Sequence, residues 1–235
     1  MDLPLYLAMT GAEWKNCPSL PEKVAWMACH FSPYGDGLTN FPSAPPENSL
    51  LIVNDRIPPQ GHHPDRIIQQ LSSFLETSPM QGILLDFQRP NCPETAEISN
   101  KIISSLSCPV CVSALYAKQL SCPVFLPPVP PNVIAEDYLS PWQGREIWLE
   151  VGFDETDICV TKEGICYDRT CPDITTPVHS DERLCSHYQI FVSEEEIHFC
   201  LHRSEEDLSA LLSRCKKAGV TTAIGLYQEY KNRSV

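Results

Sequence analysis

The chain has 235 residues, with 17 basic and 30 acidic side chains and a formal net charge of −13. That surplus excludes nucleic-acid backbones and anionic membranes as partners, because both are held by clustered Lys and Arg, and Lys216-Lys217 is the only basic doublet. At 43% hydrophobic and 20% charged the composition is globular rather than disordered, and the length leaves room for one α/β barrel of about 250 residues and little else.

The first apolar run covers 3–9 and the second Val24–Phe31. The link that follows, 32–49, is a loop, because Pro42, Pro45 and Pro46 forbid a helix. Within it, Tyr34-Gly35-Asp36-Gly37 reads as a tight turn over the mouth of the fold. After a third run, Leu50–Asn54, Pro64 opens a helix with Ile67, Ile68, Leu71, Phe74 and Leu75 on one stripe. His62-His63 reads as the loop and start of that helix rather than as a metal-ligand pair. The fourth run, 82–87, precedes a helix that starts near Asn91, has Pro93 in its first turn, and buries Ile98, Ile102, Ile103 and Leu106.

The fifth run covers 109–114, and the link 116–121 is too short for a helix. The sixth, 123–129, runs into a proline-rich stretch that suits a stiff rim and is compatible with a cis proline. A short helical turn is expected within 133–139, then a seventh run over 147–153. Beyond it the texture changes. Segments 157–162, 164–167, 187–193 and 196–203 alternate apolar and polar residues around turns at 162–164 and 193–195, which is half-exposed antiparallel sheet. The last helix is capped by Ser204 with Asp207 three residues on, carries Leu208, Leu211, Leu212 and Cys215 as its stripe, and ends at Gly219. The eighth run is 222–227.

Eight short apolar runs without clean alternation are strands covered on both faces, as in parallel sheets. The expected fold is a reduced (β/α)8 TIM-like barrel of the α/β class, lacking several outer helices. It is a single domain over 1–235 with a β-hairpin insertion at 154–203, after strand seven. A doubly wound open sheet is the alternative, but no glycine-rich phosphate loop supports it.

No run approaches the roughly 20 apolar residues of a membrane span, and the start of the chain lacks the basic and apolar regions of a signal peptide. A cytoplasmic protein is expected. The 12 cysteines fit a reducing compartment, with Cys29, Cys111 and Cys200 inside apolar runs where a thiol acts as a small hydrophobe. Cys108-Pro-Val-Cys111 has metal-site spacing, but no second pair follows, and a strand would aim the two thiols at opposite faces. No metal or cofactor is expected.

The fourth run, Gly82-Ile83-Leu84-Leu85-Asp86-Phe87-Gln88, resembles the strand-four signature of family-18 glycoside hydrolases, the chitinases and their relatives. That motif alternates acidic residues and ends in a catalytic glutamate. Its last three acidic positions fall here at Leu84, Asp86 and Gln88, which a period of two places on one strand face, pointing into the barrel. Only Asp86 keeps the family's residue type. The family's frequent insertion after strand seven is a second parallel, whereas its tryptophan on strand eight gives way to Gly225-Leu226-Tyr227. In that family the glutamate protonates the leaving oxygen while the substrate's acetamido group attacks, steered by the aspartate. A glutamine amide donates a hydrogen bond but cannot serve as general acid. The resemblance therefore implies a barrel whose standard hydrolysis is disabled and whose capacity to bind a carbohydrate or small polar ligand survives.

In such barrels function sits at the C-terminal strand ends. Those ends nominate His30, Tyr34, Asp55, Arg56, Gln88, Arg89, Tyr116 and Tyr227 as ligand-binding residues. Asp86 with Glu150 forms a candidate catalytic pair, since retaining glycosidases place two carboxylates about 5 Å apart. Against catalysis stands a structural reading, in which Glu150 pairs with Arg56 or Arg89 and Asp86 accepts loop amides. Two alternatives to a binding barrel stay open: an active glycosidase or sugar isomerase using Asp86 and Glu150, and a non-catalytic scaffold whose mouth is plugged by its own loops.

Overall fold

The computed structural model describes residues 3–78, 80–168, 171 and 175–231. The remaining positions, among them 169–170 and 172–174 of the expected insertion, lie outside the described residues. The chain opens with β1 (Leu5–Met9), a short helix α1 (Gly11–Asn16), and β2 (Val24–Phe31), which turns back as a two-residue strand β3 (Leu38–Thr39). Then come β4 (Leu50–Asn54), α2 (Pro64–Thr77), β5 (Gly82–Asp86), α3 (Pro93–Ser105), β6 (Val110–Ser113), α4 (Ala114–Ala117) and β7 (Val124–Leu126). After α5 (Ala135–Leu139) and β8 (Ile147–Glu150), five strands follow: β9 (Glu155–Thr161), β10 (Ile165–Asp168), β11 (His179–Asp181), β12 (Ser186–Val192) and β13 (Glu196–His202). The chain returns through α6 (Glu205–Lys217), β14 (Val220–Leu226) and α7 (Tyr227–Tyr230).

All eight apolar runs form parallel strands of one closed barrel, in the order β1, β2, β4, β5, β6, β7, β8, β14. The ring closes through Leu5 opposite Ala223 on one side of β1 and Leu7 opposite Val24 on the other. Alternation sorts the side chains into two layers. Tyr6, Ala8, Ala25, Leu50, Ile52, Leu84, Cys111, Phe125, Trp148 and Ile224 fill the lumen. Their neighbours, such as Leu51, Val53, Ile83, Leu85, Val112 and Leu149, pack outward against Ile67 and Leu71 of α2, Ile98 and Ile102 of α3, and Leu208 and Leu211 of α6. Cys111 belongs to the lumen and Cys108 to the outer layer, and all twelve cysteines are free. Trp148 closes the lower lumen, and an added Cβ at Gly82 would stand 3.0 Å from the Pro109 carbonyl and 3.3 Å from that indole. Gly82 is what lets the tryptophan cross.

The outer shell is incomplete. Among the described residues only α2, α3 and α6 exceed two turns, while β2 and β4 are joined by no helix at all. The peptide bonds of the proline-rich rim after β7 are trans, without the cis proline its composition allows. α1 was not expected from its apolar pattern, yet its Thr10–Glu13 capping box is visible in the sequence and fully formed.

The turn at Tyr34–Gly37 departs from expectation. Gly37 donates its N–H to Nδ1 of His62 (3.2 Å), and Leu38 donates to Oε1 of Gln70 (2.7 Å), so the turn is tied down beside α2 instead of lying over the mouth. The positive φ of Gly35 and Gly37 permits this path, and a Cβ at Gly37 would collide with the Gln70 amide.

Strands β9–β13 make a separate antiparallel sheet, ordered β10, β9, β13, β12, β11, inserted after the seventh barrel strand as expected. Arg203 anchors it. Its buried guanidinium donates to the carbonyls of Cys185 in the insertion (3.2 Å) and of Val129 (2.6 Å) and Pro130 (3.1 Å) on the barrel rim.

Candidate ligand site at the barrel mouth

Above the lumen layer the same alternation carries polar groups: Ile52 is followed by Asn54, Leu84 by Asp86, and Trp148 by Glu150. They open into a cavity of about 560 Å³ whose walls include His30, Asn54, Asp55, Arg56, Asp86, Gln88 and Glu150, over a floor of Ala8, Ile52, Leu84, Phe125 and Ile224. That volume is within the range of small-ligand sites, and an apolar floor with a few convergent polar groups is their usual lining. Among the described residues, the mouth is open and not plugged by its own loops.

Six of the ten nominated residues meet here: His30, Asp55, Arg56, Asp86, Gln88 and Glu150. The other four are absent from the lining. Tyr34 is 87% exposed on the β2–β3 turn. Arg89 directs its guanidinium to the backbone carbonyls of Asp55 (2.8 Å) and Arg56 (2.9 Å). Tyr116 donates its hydroxyl to the Arg89 carbonyl, and Tyr227 places its hydroxyl 3.3 Å from Sγ of Cys17.

Asn54, His30, Asp55, Asp86 and Gln88 are held by identifiable partners. The pairing of β2 with β4 slips between Trp26 and Cys29, and Asn54 bridges the irregularity by donating Nδ2 to the carbonyls of Met27 and Cys29, both at 3.1 Å. His30 sits between the Phe31 carbonyl at Nδ1 (2.7 Å) and the Asn40 amide at Nε2 (2.9 Å), so Nδ1 carries the proton and Nε2 accepts. Asp55, 4% exposed, accepts the N–H groups of Gln88 (3.0 Å) and Arg89 (2.8 Å). The loop amides expected at Asp86 are thus taken by Asp55, which fixes the segment carrying Gln88.

Asp86 receives the Gln88 side-chain amide at 2.5 Å. Burial pushes its carboxyl above the usual carboxylate range, the Gln88 bond opposes that rise, and the nearby Asp55 charge adds to it. Tyr138 lies within electrostatic reach of Glu150: burial, with that charge adding, lifts its phenol to about 12. Its hydroxyl stays protonated and donates to the Pro127 carbonyl at 3.0 Å. Asn54 and Asn40 escaped the sequence nomination, although Asn54 shares the 50/52/54 face of its strand and was legible on period alone.

A closed parallel eight-stranded barrel with an insertion after strand seven defines a TIM-like α/β barrel. Solved structures of spore cortex-lytic enzymes and of a chitinase share it. The spore cortex-lytic enzyme SleL of Bacillus cereus matches with a TM-score of 0.55 and 10% identity over 95% of this chain and 70% of that one. SleL of Bacillus megaterium gives 0.54 and 9% over the same shares. A chitinase from Chromobacterium violaceum gives 0.58 and 9% over 95% of this chain and 93% of its own. The sequence matches no protein-family model and no curated protein. The likeness is one of fold alone: the chain shares the TIM-like α/β barrel of these enzymes.

Proposed function

We propose that the barrel mouth binds a carbohydrate or related small polar ligand and does not carry out the acid-catalysed hydrolysis of family 18. The observation that carries this reading is Gln88, which stands where the resemblance would place the proton donor and commits its amide to Asp86. An amide N–H is far too weak an acid to protonate a leaving oxygen. The remaining apparatus suits binding: Asp86 and Glu150 offer acceptors, Arg56 offers donors, and the apolar floor can receive the face of a sugar ring. Calorimetric titration with N-acetylglucosamine oligomers, followed by a wider glycan panel, tests it. Saturable binding by the wild type, weakened at least about tenfold by Asp86→Ala, is expected. Absence of binding across the panel would refute it.

A second reading rests on Asp86 and Glu150 lining the same cavity, with burial raising the Asp86 carboxyl in the direction a general acid needs. It predicts turnover of chromogenic glycosides that disappears in Asp86→Asn.

A further inference from the structure

The insertion sheet gathers metal-ligating side chains on one face, and none of them lines the barrel mouth. Cys159 on β9 stands directly opposite His198 on β13, and Glu196 lies two residues before His198 on the same strand face. The Cys159 thiol is 3.8 Å from Nε2 of His198, and that nitrogen is 3.2 Å from a Glu196 carboxylate oxygen. All three donor atoms fall within 4.8 Å of one another. A tetrahedral Zn²⁺, with bonds of about 2.3 Å to sulfur and about 2.05 Å to nitrogen and oxygen, sets its donors ~3.6 Å apart for sulfur to nitrogen and ~3.3 Å for nitrogen to oxygen. The sulfur–nitrogen and nitrogen–oxygen separations need only tenths of an ångström to close on an ion, and the sulfur–oxygen separation is within 4.8 Å.

The surroundings have the form of an outer shell. Asp157 accepts from Nδ1 of His198 at 2.7 Å, which orients the ring so that Nε2 faces Cys159 and Glu196. The other oxygen of Asp157 is taken by the Cys200 thiol at 3.5 Å, and the Phe191 ring lies 5.9 Å from the imidazole. His198 and Asp157 side chains are 15% and 7% exposed, whereas Glu196 is 49% exposed, leaving the fourth position of a tetrahedron to water. Cys166, opposite Cys159 on β10, directs its thiol to the Cys159 carbonyl at 3.7 Å and is not among the converging donors.

We propose that Cys159, Glu196 and His198 form a binding site for a divalent transition metal of the zinc type. One thiolate, one imidazole and one carboxylate are a borderline-soft donor set that favours such an ion over Mg²⁺ or Ca²⁺. Bound there, the ion would tie β9 to β13 in a sheet that leaves Ile165, Tyr167, Phe191 and Val192 exposed and has few buried side chains of its own. The site is independent of the barrel-mouth reading.

The test titrates the full chain, chelator-treated and reduced, with Co²⁺ alone and then with Zn²⁺ in competition. One equivalent of Co²⁺ should develop a thiolate charge-transfer band and visible bands of tetrahedral intensity, both abolished by Zn²⁺. Cys159→Ser should remove the charge-transfer band and Cys166→Ser should leave it intact. Glu196→Gln, at a half-exposed position that tolerates change, should keep the far-ultraviolet dichroism of the wild type and weaken binding about tenfold or more, as should Asp157→Asn. The proposal fails if the wild type gives no thiolate band at one equivalent, if the band survives Cys159→Ser or follows Cys166, or if Glu196→Gln binds as tightly as the wild type.

Discussion

Asp55 determines where Gln88 stands, and its removal measures how firmly. Its carboxylate, 4% exposed, accepts two backbone N–H groups at 3.0 and 2.8 Å from a loop 33 and 34 residues further along the chain. Hydrogen bonds to a charged acceptor contribute about 1.5–3 kcal/mol each. Gln88 and Arg89 are themselves exposed, so water can recover part of the loss at their amides. Asp55→Ala is therefore expected to cost about 3 kcal/mol in urea denaturation, which for a domain of this size lowers the melting temperature by roughly 6–12 °C. Asp55→Asn keeps one acceptor oxygen and should cost about half as much. A loss below about 1 kcal/mol for the alanine variant would refute the clamp, since a buried carboxylate with two such partners cannot be removed so cheaply. Equal losses for alanine and asparagine would show that charge, and not the geometry of two bonds, holds the loop.

Three further outcomes follow from the same structure. Burial holds the folded-state pKa of Asp86 above its unfolded value, so its contribution to stability is intact below the ordinary carboxylate pKa and is lost as pH rises through the raised one; Asp86→Asn should flatten this fall in urea unfolding measured across the acid-to-neutral range. Arg203→Met leaves the rim carbonyls of Val129 and Pro130 without their donor, and should destabilise by about 3 kcal/mol or more while speeding limited proteolysis within the insertion. Gly82→Ala should cost about 1–3 kcal/mol and alter the near-ultraviolet dichroism of Trp148, because the new methyl meets the Pro109 carbonyl and the indole.

The barrel was legible because strands covered on both faces are continuous apolar runs, and three of the seven connections between barrel strands carry long amphipathic helices with caps or prolines at their starts. The insertion was legible through its change to alternation. Short helices were not: α1 spans six residues and buries none of them, so no stripe marks it, although Thr10 and Glu13 spell its cap. At the site, the strand period found Asp86 and Glu150, and carried on to Gln88. Period stops governing where a strand ends, which is why Tyr34 and Arg89, in loops, and Tyr116 and Tyr227, in the short helices α4 and α7, fall outside the lining of the mouth. The clamp at Asp55 has backbone partners, which no residue pattern records, and the Cys159–His198 pairing depends on a register between β9 and β13 that cysteine spacing does not encode.

The central claim is that this mouth holds a sugar and leaves its glycosidic bond intact. The most direct measurement is a calorimetric titration of the wild-type protein with an N-acetylglucosamine oligomer, with the same sample analysed by mass spectrometry after prolonged incubation. Saturable binding with the oligomer recovered whole is the predicted result; shortened products that vanish in Asp86→Asn would contradict it.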